Sequence, residues 1–155
     1  MDPTAAAAQP TFDPAEVARF GRIAAEWWDP NGKFRPLHQL GPVRMSFLRR
    51  EAVRHFSLDD RALRPLSGLT AIDVGCGGGL VSEPLSRLGA AVTAIDPSPE
   101  TIAAARHRAA GQGLAIDYRA ERIEEVAAAG RTFDLVVSLE VLEHVPDPAA
   151  FVKLL

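Results

Sequence analysis

The chain has 155 residues, 24% of them charged, a formal net charge of −3 and a single cysteine. That length suffices for one domain with its own core, while the slight acidity leaves no basic field for nucleic acid and the lone Cys76 excludes an internal disulfide framework. No apolar run approaches the roughly 20 residues of a membrane-spanning helix, and the opening MDPTAAAAQP, with an early acid and no basic cluster, is neither a signal nor a transit peptide.

Residues 1–12 read as a disordered lead-in and residues 13–68 as a helical arm. In FDPAEVARFGRIAAEWW, Asp13 is placed to cap a helix, Pro14 to start it and Glu16 to close a capping box. Val17, Phe20, Ala24, Trp27 and Trp28 then form one apolar stripe at helical spacing. The Pro, Gly and Asn of residues 29–42 predict a loop, and a second helix is expected from Pro42 to about Phe56.

From Leu69 the pattern changes to that of an α/β domain, residues 69–155. Short apolar runs at 70–75, 91–96, 115–120 and 133–139 read as strands. Helices are expected between and after them, at about 79–88, 99–110, 122–129 and from 148 onward. Near-continuous apolar strands alternating with helices imply a parallel sheet covered on both faces. Pro84 conflicts with the first of these helices unless the helix kinks or starts late.

The stretch AIDVGCGGGL (71–80) puts a glycine loop between the first strand and its helix, the ligand-binding corner of an open α/β sheet. A dinucleotide fingerprint would need glycine where Leu80 stands, and a phosphate would meet the charge of Asp73. No Lys-Ser or Lys-Thr follows, which excludes a P-loop. Asp96, at the end of the second strand, can accept both hydroxyls of a ribose, and Asp73 favours an ammonium or sulfonium cation. S-adenosylmethionine carries those groups and no phosphate. A nicotinamide oxidoreductase is therefore disfavoured. Cys76, with no basic neighbour, reads as inert loop filling.

AIDVGCGGG followed by AVTAIDPS resembles the first two motifs of Rossmann-like methyltransferases that use S-adenosylmethionine. WWDPNGKFRPLHQLGPVR (27–44) and SLEVLEHVPDP (138–148) resemble the ubiquinone-biosynthesis O-methyltransferase family, which methylates catechol hydroxyls of polyprenylated precursors such as 3-demethylubiquinol. The resemblance runs from about Phe20 to Leu155 and implies a mostly parallel Rossmann-like sheet with strand order 3-2-1-4 and a C-terminal part not contained in the chain. A chain ending there is expected to hold the cofactor half-site without a competent active site. The family's membrane-docking segment and any contact with a biosynthetic complex would lie past residue 155. The expected location is cytoplasmic, with peripheral contact at the inner membrane. A small-molecule polyprenylated catechol is the expected partner, and no nucleic acid. The alternatives are a methyltransferase of another small molecule and a non-catalytic cofactor-binding module.

The resemblance also assigns roles. Gly75 would pack against the amino-acid part of the cofactor, Asp96 would hold the ribose, and Leu139 would touch the cofactor. Arg44, expected in the first turn of its helix, would pair with the cofactor carboxylate. The segment around Glu121 falls where the family places adenine. Glu140, Glu143 and His144 stand at i, i+3 and i+4, one face of a helical turn after the fourth strand. Two carboxylates and an imidazole can hold a magnesium ion that lowers the catechol pKa, as the resembled family does. A metal-free reading has His144 as general base, and a third has Glu143 and His144 as turn caps.

Overall fold

The computed structural model describes residues 11–155; the proposed lead-in lies outside them up to Pro10. Its last part is not free: buried Thr11 donates through its N–H and its hydroxyl to Glu124 Oε1, at 2.8 and 2.6 Å.

The sheet has the order β3-β2-β1-β4, all parallel, built from β1 (Thr70–Val74), β2 (Ala91–Asp96), β3 (Asp117–Ala120) and β4 (Leu135–Val137). This is the anticipated topology, with β3 and β4 shorter than their apolar runs. Side chains alternate between two cores. Ala71, Val92, Ala94, Tyr118 and Val137 pack with Leu85 of α3 (Ser82–Arg87) and with Ile102, Ala105 and Ala109 of α4 (Pro99–Gly111). Ile72, Val74 and Ile95 face the other way, onto Ile123 and Val126 of α5 (Ile123–Ala128) and Phe151 of α6 (Pro148–Val152). Side chains that alternate between two covered faces are what near-continuous apolar strands require. Pro84 is accommodated by a late start: it lies in the first turn of α3, where a backbone N–H would have no intrahelical partner.

The arm departs from expectation in two ways. Asp13 does cap α1 (Pro14–Arg22), accepting from Ala15 N–H at 2.8 Å, yet Glu16 turns away from a capping box toward Arg19 and His144. The helix stops at Arg22 instead of running through Trp28; a 3₁₀ turn follows at Ala24–Glu26. Gly21 explains the tight seat, because a Cβ there would lie 3.1 Å from Ser98 Oγ at the start of α4. Secondly, helix α2 spans Arg35–Phe56, so most of the anticipated loop after Phe34 is helical and Arg44 sits mid-helix. Pro36 in the first turn fixes the start, and Pro42 is carried inside a 22-residue helix. Its missing hydrogen bond is offset by packing of Met45, Leu48, Ala52 and Phe56, one helical stripe, on the α3–α4 side of the sheet.

Both indoles seat the arm on the glycine loop. Trp28 Nε1 donates to Gly78 O at 2.8 Å, while the Arg108 guanidinium lies 4.2 Å over its ring. Trp27 stacks on Phe34 with centroids 3.8 Å apart and lies against Gly77 and Gly78. Gly77 has φ +52°, and a Cβ there would meet the Trp27 ring at 2.5 Å. Gly77→Ala is therefore expected to cost about 2–4 kcal/mol, from backbone strain plus overpacking. In a Trp27→Ala background only the strain should remain, about 1–2 kcal/mol. Urea unfolding of the four proteins measures this; equal costs in the two backgrounds would place the indole elsewhere.

Candidate cofactor and methyl-transfer site

The carboxyl ends of β1, β2 and β4 converge beneath the arm. Gly75 and Cys76 both donate their N–H groups to Ile95 O, at 2.9 and 3.0 Å, which ties the glycine loop to β2. Asp96 ends β2 with both oxygens oriented: Oδ2 accepts from Gly77 N–H at 3.1 Å and Oδ1 from Ser98 N–H at 2.9 Å. Burial raises its pKa above the usual carboxylate value, and the two backbone donors oppose that rise. Each oxygen keeps a second acceptor direction, which is what a vicinal diol would use.

Two cavities open here. The first is lined by Gly75, Gly77, Ile95, Asp96 and Pro97, by Glu121, Arg122 and Ile123 after β3, and by Thr11, Phe12, Asp13 and Glu16 of the arm. Its ionisable rim is dominated by carboxylates (Asp13, Glu16, Asp96, Glu121, Glu124, Glu140) over Arg122 and His144, which suits a cation and repels a pyrophosphate. The second is lined by Asp73, Gly75, Cys76, Leu80, Val81 and Leu139 of the sheet side and by Phe34, Leu37, Arg44 and Met45 of the arm. Phe20, Trp27, Gly75, Glu140 and His144 line both. The residues expected to serve the cofactor thus divide between the two: Asp96 in the first, Arg44 and Leu139 in the second, Gly75 at the junction. A diol-binding carboxylate at one end and a guanidinium at the other fit the two polar ends of S-adenosylmethionine.

Glu140, Glu143 and His144 do not form the expected metal-holding face. Glu140 precedes the 3₁₀ turn Leu142–His144 and has φ +58°, so the three residues do not form one helical face, although all three line the second cavity. Glu140 pairs instead with Arg44 NH2, and His144 Nδ1 lies 2.9 Å from Glu16 Oε2, while Glu143 is exposed. Among the described residues no group of three His, Cys, Asp or Glu could hold a metal ion. The donor set as arranged does not fit magnesium. A left-handed glutamate at a ligand corner is strained backbone of the kind that collects at functional sites. Val141, next in sequence, fills the space over Gly75 that a side chain there would need.

Under the loop, Asp73 is fully buried and accepts from Ser82 Oγ at 2.5 Å. Burial pushes its pKa from 3.8 up to about 6, against the Ser82 hydrogen bonds. Cys76 is buried too, its thiol pKa pushed up chiefly by burial, in keeping with an inert role.

The family profile described as a methyltransferase domain matches residues 72–155. The chain belongs to the methyltransferase-domain family. It is 55% identical over 147 residues to the ubiquinone biosynthesis O-methyltransferase of Parvibaculum lavamentivorans, covering 95% of this chain and 58% of that protein. It is 53% identical over 152 residues to the protein of the same name from Caulobacter vibrioides, covering 96% of this chain and 60% of that one. The chain therefore spans well under two thirds of the length of these relatives. Among solved structures, magnesium protoporphyrin IX methyltransferase from Synechocystis PCC 6803 with bound SAM shares the fold, with a TM-score of 0.64 and 24% identity over 91% of this chain and 64% of that one. No helix among the described residues is long and apolar enough to cross a membrane.

Sequence reasoning placed Arg44 of the arm at the candidate site but missed the share of α1 in it. Glu16 and Phe20 read as cap and stripe, yet both reach His144. Their i, i+4 spacing was visible, but nothing in one sequence pairs them with a residue more than a hundred positions away. The two tryptophans divide their work: Trp27 lines both cavities, and Trp28 anchors the arm.

Asp73 gives a signed pH test. With its pKa raised from 3.8 to about 6, the folded state binds a proton more tightly than the unfolded one. The stability this confers is full below pH 3.8 and is lost as pH rises through about 6, a change of about 3 kcal/mol. Wild type is therefore expected to gain on Asp73→Asn as pH falls from 7.5 to 4.5. Unfolding of both proteins across that range measures it; a constant difference would refute the buried charge.

Proposed function

We propose that the protein is an S-adenosylmethionine-dependent O-methyltransferase that acts on catechol hydroxyls of polyprenylated ubiquinone precursors, and that residues 11–155 supply the cofactor site and the base. The observation that carries this reading is that His144 lines both the Asp96 cavity and the Arg44–Leu139 cavity. A group there can reach a substrate oxygen beside the reacting centre. The names of the relatives from P. lavamentivorans and C. vibrioides support the substrate class.

The bound cofactor supplies an electrophilic methyl group on a sulfonium. Asp96 holds the ribose hydroxyls, Arg44 the carboxylate, and Gly75 and Leu139 the span between them. Arg44 must exchange Glu140 for the cofactor to do so. His144 takes the catechol proton on Nε2 as the oxygen lone pair forms the O–CH₃ bond. The bound cofactor would give up its methyl from a sulfonium and leave as a neutral thioether, and the acidic first cavity would favour the cation over that product.

A thermal melt tests the cofactor half. S-adenosylhomocysteine should raise the midpoint and NADH should not, because only a ligand of the native state stabilises it. A shift with NADH alone would overturn the reading. For the chemistry, His144→Ala should lower kcat on a soluble catechol by about 10²–10⁴-fold, the usual worth of a general base, while S-adenosylhomocysteine still shifts the melt. Undiminished turnover would remove His144 from the reaction.

A further inference from the structure

The N-terminal arm reaches His144 with two side chains from one face of one helix. Glu16 and Phe20 stand four residues apart on α1, the spacing that sets neighbours on a helix surface. Glu16 Oε2 lies 2.9 Å from His144 Nδ1. The Phe20 ring meets the imidazole edge-on, with centroids 5.2 Å apart and planes at 79°. The ring is thus held along its plane by a carboxylate and across its plane by an aromatic, both from an element at the opposite end of the sequence. We propose that Glu16 is a positioning residue for His144: the arm sets the tautomer and orientation of the base. This rests on the reading of His144 as the base.

The chemistry follows from the contact. A carboxylate beside Nδ1 favours the tautomer with the proton on that nitrogen, which leaves the Nε2 lone pair to accept the hydroxyl proton. When the proton arrives, the imidazolium has an opposite charge already in place, so no solvent reorganisation is needed to receive it. Stability is a poor account of the pair. Both side chains keep about three tenths of their exposure (31% for His144, 27% for Glu16), and ion pairs so placed add little to folding. Arg19 also reaches Glu16, at 3.1 Å, from the solvent side, and helps to hold the carboxylate without touching His144.

The proposal makes the arm more than a cover. His144 is set as a base only with α1 docked where the structure has it.

Histidine nitrogen NMR reads the tautomer directly, without turnover. In the wild-type protein His144 should show the proton on Nδ1, and in Glu16→Ala that preference should be lost. On a soluble catechol, Glu16→Ala should lower kcat by about 10–100-fold with the cofactor KM changed by less than about threefold. Glu16→Gln keeps an acceptor oxygen and the side-chain volume, so it should restore the tautomer and part of kcat; it also guards against an undocked arm. An unchanged His144 tautomer in Glu16→Ala would overturn the proposal, and so would an unchanged kcat while His144→Ala is inactive. Full turnover by His144→Ala would instead overturn the reading on which the proposal rests, whatever Glu16→Ala does.

Discussion

The contact on which the site depends is the seating of two adjacent indoles on the backbone of a glycine loop. Trp28 closes a hydrogen bond to Gly78 O, and Trp27 fills the space that side chains at positions 77 and 78 would otherwise take. Indole rings bring a large apolar area and one N–H donor, which suits a surface of bare peptide groups. The glycines therefore serve two ends. Positive φ at Gly77 turns the chain at the end of β1, and the missing side chains admit the arm. Without that contact the arm keeps the seat of Gly21 on Ser98 and the packing of α2 on the sheet, but loses its direct hold on the glycine loop.

The electrostatics of the strand ends follow from the same packing. Asp73 is buried at the end of β1 and Asp96 partly buried at the end of β2; among the described residues neither has a cationic hydrogen-bond partner, and both have raised pKa values because burial outweighs their hydrogen bonds. The arm then adds Asp13 and Glu16 to the same rim. Excess negative charge in a partly enclosed space costs stability unless a cation fills it. A dinucleotide would make this worse. A sulfonium and an ammonium relieve it, which is the physical reason a glycine-rich corner in this chain belongs to a methyl donor.

The sheet was legible from the sequence because its signals are local. β2 was read to its end residues, Ser98 and Pro99 mark the start of α4, and the continuous burial of Ala71–Val74 in TAIDV follows a run that needs no partner to be seen. The arm was less legible because its structure is decided by contacts. Pro42 looks like a helix start by propensity, yet the stripe of Met45, Leu48, Ala52 and Phe56 packs well enough to carry it in a helix that begins seven residues earlier. The apparent stripe through Trp27 and Trp28 was a coincidence of spacing, since the helix ends at Arg22 and the indoles leave it for the glycine loop.

The site residues divide by the same rule. Gly75, Asp96 and Leu139 lie where strand ends put them, so a reading of strands finds them. Glu140, Glu143 and His144 were assigned a shared face by assuming α-helical periodicity, and the backbone there is left-handed at Glu140 and 3₁₀ over Leu142–His144. A left-handed glutamate resets the direction of the chain between Leu139 and Val141: Glu140 pairs with Arg44, His144 with Glu16, and Glu143 stays exposed. Both partners, Arg44 and Glu16, belong to the arm. The sheet thus carries the candidate site residues and the arm decides what they face, so on the proposed reading a change far back in the N-terminal helix acts at the end of β4 without altering a single strand.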